Sequence, residues 1–238
     1  MSSAPLPGDP AVLSSRSPAP AAASDATLRI TEIFHSLQGE ANTVGLPTVF
    51  VRLTGCPLRC VYCDTQYAFH GGRVHTLARI LADVAGYGAA YVTVTGGEPL
   101  AQPNCLPLLV RLCDAGYTVS LETGGALPVA AVDPRVVKVL DLKTPASGES
   151  GRNDYGNIAH LTAQDQVKFV ICDRADYIWA RSKIAEFALP DRVADVLLSP
   201  SHGQLAPREL AEWMLADRLR GRLQLQLHKL LWGDAPGR

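Results

Sequence analysis

No run in this 238-residue chain approaches the roughly 18 apolar residues that a membrane helix takes, so a bilayer-spanning segment is not expected. An excess of charge of either sign is also missing. The formal net charge is −1 and the isoelectric point is about 6.6, which removes general attraction to nucleic acid or anionic lipid as an organising force. Residues 1–26 lack the charged start and continuous apolar segment of a secretory signal. Met, Ser, Ala and Pro make up most of that stretch, with Arg16 its single basic residue. The expectation is therefore a disordered N-terminal extension, 1–26, followed by one domain, 27–238. No internal repeat is visible and no second domain is required. Cysteine is sparse as well, at six residues, and Cys105, Cys113 and Cys172 lie singly in apolar runs. These three read as buried free thiols that behave as small hydrophobes, and the expected compartment is a reducing cytoplasm.

What is present is a chain able to bury a core. Apolar residues make up 47% and the mean hydropathy is +0.07, as in ordinary globular domains of this size. From residue 27 onward, short β-branched runs alternate with helical ones. Strands are expected at 48–54, 91–95, 117–122, 136–142, 166–172, 194–198 and 223–227, and helices at 76–86, 105–115, 174–187 and 207–220. Pro207 suits the first turn of the last helix. Such alternation predicts an α/β fold whose strands are mostly parallel and joined by right-handed crossovers. An open doubly wound sheet and a partial barrel both satisfy it, and both place function at the carboxyl ends of the strands.

The polar and glycine-rich segments fall at those ends. The run Gly-Cys56-Pro-Leu-Arg-Cys60-Val-Tyr62-Cys63-Asp64-Thr65 follows the 48–54 strand. Gly96-Gly97-Glu98-Pro99 follows the next, then Glu122-Thr123-Gly124-Gly125, Asp141-Leu142-Lys143-Thr144 and Ser199-Pro200-Ser201-His202. Three cysteines within eight residues direct three thiolates at one small volume. Iron–sulfur clusters are held by cysteine thiolates, usually four, so a three-thiolate site leaves one iron open to a small molecule. The competing reading is zinc, with His70 or His75 as a fourth ligand, though structural zinc sites more often use two separated pairs. Paired glycines let a backbone approach a ligand closely. Glu122, Lys143, Ser199, Ser201 and His202 each have a plain reading as solvated or ion-paired loop residues, set against their place on a common rim.

The spacing C-x3-C-x2-C, followed by Asp64 and Thr65 and then by GGEP at the next strand end, resembles the radical S-adenosylmethionine (SAM) superfamily. That resemblance implies a partial (β/α) barrel of the radical SAM type, a 4Fe–4S cluster on Cys56, Cys60 and Cys63, and SAM chelated by the fourth iron. It implies reductive cleavage of SAM to a deoxyadenosyl radical. Tyr62, Cys63, Asp64, Gly96, Gly97, Glu98, Glu122, Lys143, Ser199, Ser201 and His202 are then the expected cofactor-binding positions.

A second set narrows the resemblance. Ser36-Leu37-Gln38-Gly39-Glu40, the strand Phe50-Val-Arg52-Leu-Thr-Gly-Cys56 and the late Gln226-Leu-His228-Lys229 are similar to the 7-carboxy-7-deazaguanine synthase family. The similarity spans residues 28–238. It implies 6-carboxy-5,6,7,8-tetrahydropterin as substrate and a ring contraction that releases ammonia, in the synthesis of queuosine-type 7-deazapurines. Leu37, Gln38, Gly39, Glu40, Arg52 and Thr95 are the implied substrate contacts, with Arg52 on the carboxylate. Thr65 is implied as a Mg2+ ligand. A flavodoxin or ferredoxin as reductant and a homodimer are implied partners. One position departs from the family pattern: Gly124 stands where Asn or Ser is common. A glycyl-radical activating enzyme shares the cysteine triplet and the glycine turn but has no need of a carboxylate-gripping arginine. A zinc-binding interaction module is the non-catalytic alternative.

Overall fold

Strand β2 (Pro47–Leu53) shows how the alternation is used. Val49, Val51 and Leu53 are buried in the apolar core, whereas Phe50 and Arg52 open onto the opposite face. Successive side chains point to opposite faces of a strand, so a period of two separates a helix-covered face from a cleft face. Strands β4 (Tyr91–Gly96), β5 (Thr118–Thr123) and β7 (Gln166–Ile171) repeat the device. Val92, Val94, Val119, Leu121, Val167 and Phe169 enter the core, while Thr95, Glu122 and Lys168 line the cleft.

The structure is a computed structural model that describes residues 26–233, 235 and 237. The expected extension at 1–26 lies outside the described residues, apart from Ala26. Strands β1 (Thr27–Leu37), β3 (Arg73–Thr76), β6 (Val137–Asp141), β8 (Asp195–Pro200) and β9 (Arg222–Leu223) complete one nine-stranded sheet, in the order β3-β1-β2-β4-β5-β6-β7-β8-β9. From β2 to β9 every pairing is parallel and the order follows the sequence. A doubly wound sheet reverses its order at a switch point, and this one does not. Crossovers of one hand in one direction place their helices on one side, which is the winding of a barrel. The barrel stays open, since β3 and β9 are its two edges. Among the described residues no helix is long and apolar enough to cross a membrane.

Helix α1 (Leu77–Ala85) buries Leu77, Ile80 and Val84, spaced three and four apart on one stripe, and Thr76 caps its first turn by accepting from Arg79 N. Helices α2 (Cys105–Asp114), α3 (Arg174–Glu186) and α4 (Pro207–Ala216) cover the same face of the sheet. At the amino ends of the strands, Lys138 and Asp165 form a buried ion pair at 3.0 Å. Asp165 also accepts from Lys138 N and Thr162 N, each at 2.7 Å, so the charge is not left bare.

Two expectations need correcting. Helix α4 stops at Ala216 rather than 220: Arg218 turns into the left-handed region (φ +48°) and Leu219 N bonds Met214 O at 3.0 Å. That closure normally uses glycine, so no residue type announced it. The last strand is only Arg222–Leu223, and 227 begins helix α5 (Leu227–Trp232). Leu227 N bonds Gly39 O at 3.0 Å, which pulls the chain off the sheet edge and across the cleft. Strands β1 and β3, which extend the sheet in antiparallel fashion, also went unforeseen.

Candidate active site

The loop after β2 is shaped by its backbone. Gly55 takes φ +97° and bonds Ala68 O at 2.8 Å, Leu58 N donates to Cys56 Sγ at 3.4 Å, and Cys63 N donates to Cys60 O at 3.1 Å. Cys56, Cys60 and Cys63 consequently line one cleft of about 450 Å³ at the carboxyl ends of the strands. Burial raises all three thiols above their ordinary range, Cys60 to about 11, although Lys143 beside them pulls the other way. Ligation in thiolate form therefore releases protons. Among the described residues no three His, Cys, Asp or Glu side chains gather on one point as a single ion requires. A 4Fe–4S cluster takes each thiolate on a different iron, so an all-sulfur set spread around a cavity suits it. Two buried polar atoms of the same wall, Tyr62 Oη and Asp141 Oδ1, have no hydrogen-bond partner among the described residues and suit a polar ligand in that cleft.

The glycines of Gly96-Gly97-Glu98 do something the sequence did not disclose. A Cβ on Gly97 would lie 2.1 Å from Gly55 O, and one on Gly96 would lie 2.7 Å from Leu53 O. Their missing side chains let the β4 turn close against the cysteine loop, before any ligand is considered. Glu98 is 0% exposed. Its carboxylate accepts from Thr123 Oγ1 at 2.9 Å and Gly124 N at 2.7 Å, so it ties the β4 and β5 ends together. Burial pushes Glu98 up while these donors oppose the shift.

Gly124 is packed less tightly. A Cβ there would sit 3.0 Å from Leu58 Cδ1 and 3.3 Å from Glu98 Oε2. The tip of the cysteine-loop leucine would have to give by a few tenths of an ångström to admit a Cβ at 124. At the β6 end, Lys143 Nζ lies 2.8 Å from Asp141 Oδ2 and above the Tyr62 ring.

Across the cleft, Gln38 Nε2 donates to Thr93 Oγ1 at 3.1 Å and approaches Glu122 Oε1 at 3.4 Å. Thr95 Oγ1 donates to Glu122 Oε2 at 2.8 Å. Burial raises Glu122 above the usual carboxylate range, and the charge of Glu40 adds to this while Lys168 opposes it. Arg52 Nε is held by Glu32 Oε1 at 2.7 Å, with Phe34 and Tyr67 flanking its guanidinium. Its terminal nitrogens make no hydrogen bond among the described residues, and the side chain lines the cleft. Thr65 Oγ1 donates to Asp64 Oδ1 at 2.7 Å. Burial disfavours the Asp64 charge, but that hydroxyl and Lys229 outweigh it and hold the carboxyl below its ordinary range.

Leu37, Gly39 and Glu40 complete the β1 end, and Ser201 and His202 stand on the rim after β8. Ser199 takes the cleft-facing side of β8, in register with Val170, but is buried there and does not line the cleft, and its hydroxyl has no partner among the described residues. Residue types alone do not announce Lys168 or the apolar lining from Phe34 and Phe50, while Asp141 lines the cleft at the strand end where its segment is expected. A lone lysine inside the apolar strand 166–171 was the available signal for Lys168.

Residues 50–141 match the sequence model of the Radical SAM superfamily, which is the span from β2 to the end of β6 that carries the cysteine loop and the glycine turn. The class is thus that of enzymes holding a 4Fe–4S cluster and SAM at one strand-end cleft. The 7-carboxy-7-deazaguanine synthase of Chlorobaculum tepidum is 46% identical over 218 residues, covering 90% of this chain and 99% of that protein. That of Koribacter versatilis is 45% identical over 219 residues, covering 86% and 97%. QueE from Escherichia coli shares the fold with a TM-score of 0.70 at 24% identity, over 84% of this chain and 94% of that one. The chain belongs to the 7-carboxy-7-deazaguanine synthase family.

Proposed function

We propose that this chain converts 6-carboxy-5,6,7,8-tetrahydropterin to 7-carboxy-7-deazaguanine with release of ammonia, as a radical SAM carbon–nitrogen lyase. The observation that carries the reading is Arg52, whose terminal nitrogens make no hydrogen bond among the described residues and lie in the same cleft as the three thiols. A guanidinium fixed at Nε presents its remaining edge as a planar fork, the geometry that matches a carboxylate.

Cys56, Cys60 and Cys63 would hold the cluster. The Gly96-Gly97 backbone, Tyr62, Glu122 and Lys143 would hold SAM, with Asp64, Ser201 and His202 on the same wall. When bound, the reduced cluster and SAM supply a radical that abstracts hydrogen from the substrate. The chain's residues orient that substrate. Gln38 and Glu40 present an amide and a carboxylate to the donors and acceptors of the pterin ring, while Leu37, Gly39 and Thr95 bound its plane. Phe34 and Phe50, stacked at 4.9 Å, keep water from that side. Thr65 would offer its hydroxyl to Mg2+, a hard cation that keeps waters and substrate oxygens around it. A homodimer, a flavodoxin or ferredoxin as electron donor, and a cytoplasmic location belong to the same reading.

The test is anaerobic incubation of reconstituted, reduced protein with SAM and the carboxytetrahydropterin, with product followed by mass spectrometry. The expected result is 7-carboxy-7-deazaguanine formed in a reaction that Mg2+ accelerates. Cleavage of SAM without that product sinks the assignment.

A further inference from the structure

Strand β7 reads Gln166-Val-Lys-Phe-Val-Ile171, in which every residue after Gln166 is apolar except one cation. The alternation that sends Val167, Phe169 and Ile171 into the core turns Lys168 onto the floor of the cleft, where its side chain is 13% exposed. An ammonium in such a place is costly unless it is paired. Lys168 Nζ is in direct contact with Glu40 Oε2 and 4.0 Å from Asp141 Oδ2. The other Glu40 oxygen, Oε1, accepts from Gln226 Nε2 at 2.8 Å. Glu40 is therefore gripped at both oxygens, by β7 and by the segment that leads into α5.

Shape-filling does not account for the charge, because apolar replacements of buried ion pairs are commonly neutral or stabilising. The charge instead sets one carboxylate at a defined point in the cleft, on the turn that also carries Gln38. It does so beside Glu122, which Gln38 and Thr95 hold in place and which would repel an untethered Glu40. We propose that Lys168 is a positioning residue for the substrate, holding Glu40 where its carboxylate meets the adjacent N–H donors of a 2-amino-4-oxopyrimidine ring. This deepens the pterin reading and rests on it.

The experiment compares steady-state turnover of the carboxytetrahydropterin by loaded wild-type enzyme, Lys168→Met, Lys168→Arg, Glu40→Gln and the Glu40→Gln/Lys168→Met pair. Lys168→Met is expected to raise KM about tenfold with kcat changed less than about threefold, the effect of one charged hydrogen bond made equally in ground and transition states. Lys168→Arg restores most of the affinity. In the Glu40→Gln background, Lys168→Met adds less than about twofold, because the group it acts through is already gone. That last comparison removes both charges together, so it stands even if Lys168→Met alone does not fold. A KM for Lys168→Met within about twofold of wild type, or effects that multiply in the Glu40→Gln background, overturns the proposal while leaving the pterin reading intact. A loaded wild-type enzyme that cleaves SAM but yields no product refutes the pterin reading, and this inference with it.

Discussion

Replacing Gly97 by Ala separates two jobs that a glycine turn beside a cofactor can perform. An added Cβ would lie 2.1 Å from Gly55 O, 2.5 Å from Gly55 C and 3.0 Å from Cys56 Cβ. An ordinary carbon–oxygen contact is about 3.3 Å, so the β4 turn and the cysteine loop must part by about 1 Å. Two hydrogen bonds cross that seam, Gly97 N to Leu53 O at 3.2 Å and Glu98 N to Gly55 O at 2.8 Å, and both stretch out of range. Losing them costs about 1 kcal/mol each. Backbone overpacking adds about 1–3 kcal/mol, for a total of roughly 3–5 kcal/mol. At about 2–4 °C per kcal/mol for a domain of this size, the melting temperature falls by roughly 10 °C. The assay is thermal unfolding of the apoprotein, without iron and without SAM. Gly151→Ala serves as the control, because a Cβ there meets nothing within 4 Å among the described residues. Should the Gly97→Ala apoprotein melt within about 1 °C of wild type while the loaded enzyme loses SAM binding, the packing argument fails and the glycine serves the ligand alone.

Two further outcomes are expected. Arg52→Ala keeps the cluster absorbance and the cleavage of SAM but raises KM for the carboxytetrahydropterin roughly tenfold or more. Arg52→Lys does not restore affinity, lacking the planar fork; normal turnover of Arg52→Ala at low substrate would remove Arg52 from the carboxylate. Asp165→Ala strands Lys138 in the interior and costs about 3–5 kcal/mol in urea unfolding, only part of it recovered when Lys138→Met is added, because Lys138 N and Thr162 N still lack their acceptor. Additive losses in that pair would contradict the coupling assigned to it.

Residue type and spacing carried much of this protein. The parallel order of strands was legible because Val-x-Val-x patterns separated by amphipathic helices admit few windings. The cysteine loop was legible because three thiols within eight residues have few other uses. Boundaries were less so: Arg218 closes helix α4 in a left-handed conformation that arginine rarely adopts. Segment 223–227 looks extended by composition but is recruited by Gly39, nearly the whole chain away.

By itself the sequence determined which side chains could meet, since period-two alternation decides the face each residue takes and the strand-end rule decides the rim. Tertiary structure decided what those residues do to one another. Gly97 is small because Gly55 O lies behind it, and Glu98 points inward because the β5 end supplies its donors. Ser199 faces the cleft side of β8 yet stays buried, although Ser201, two residues on, reaches the cleft lining. Lys168 meets Glu40 only because β7 faces the β1 turn across an open barrel. Such pairings join residues from 25 to 128 positions apart, and no local pattern encodes a contact whose geometry is set by the closing of the sheet.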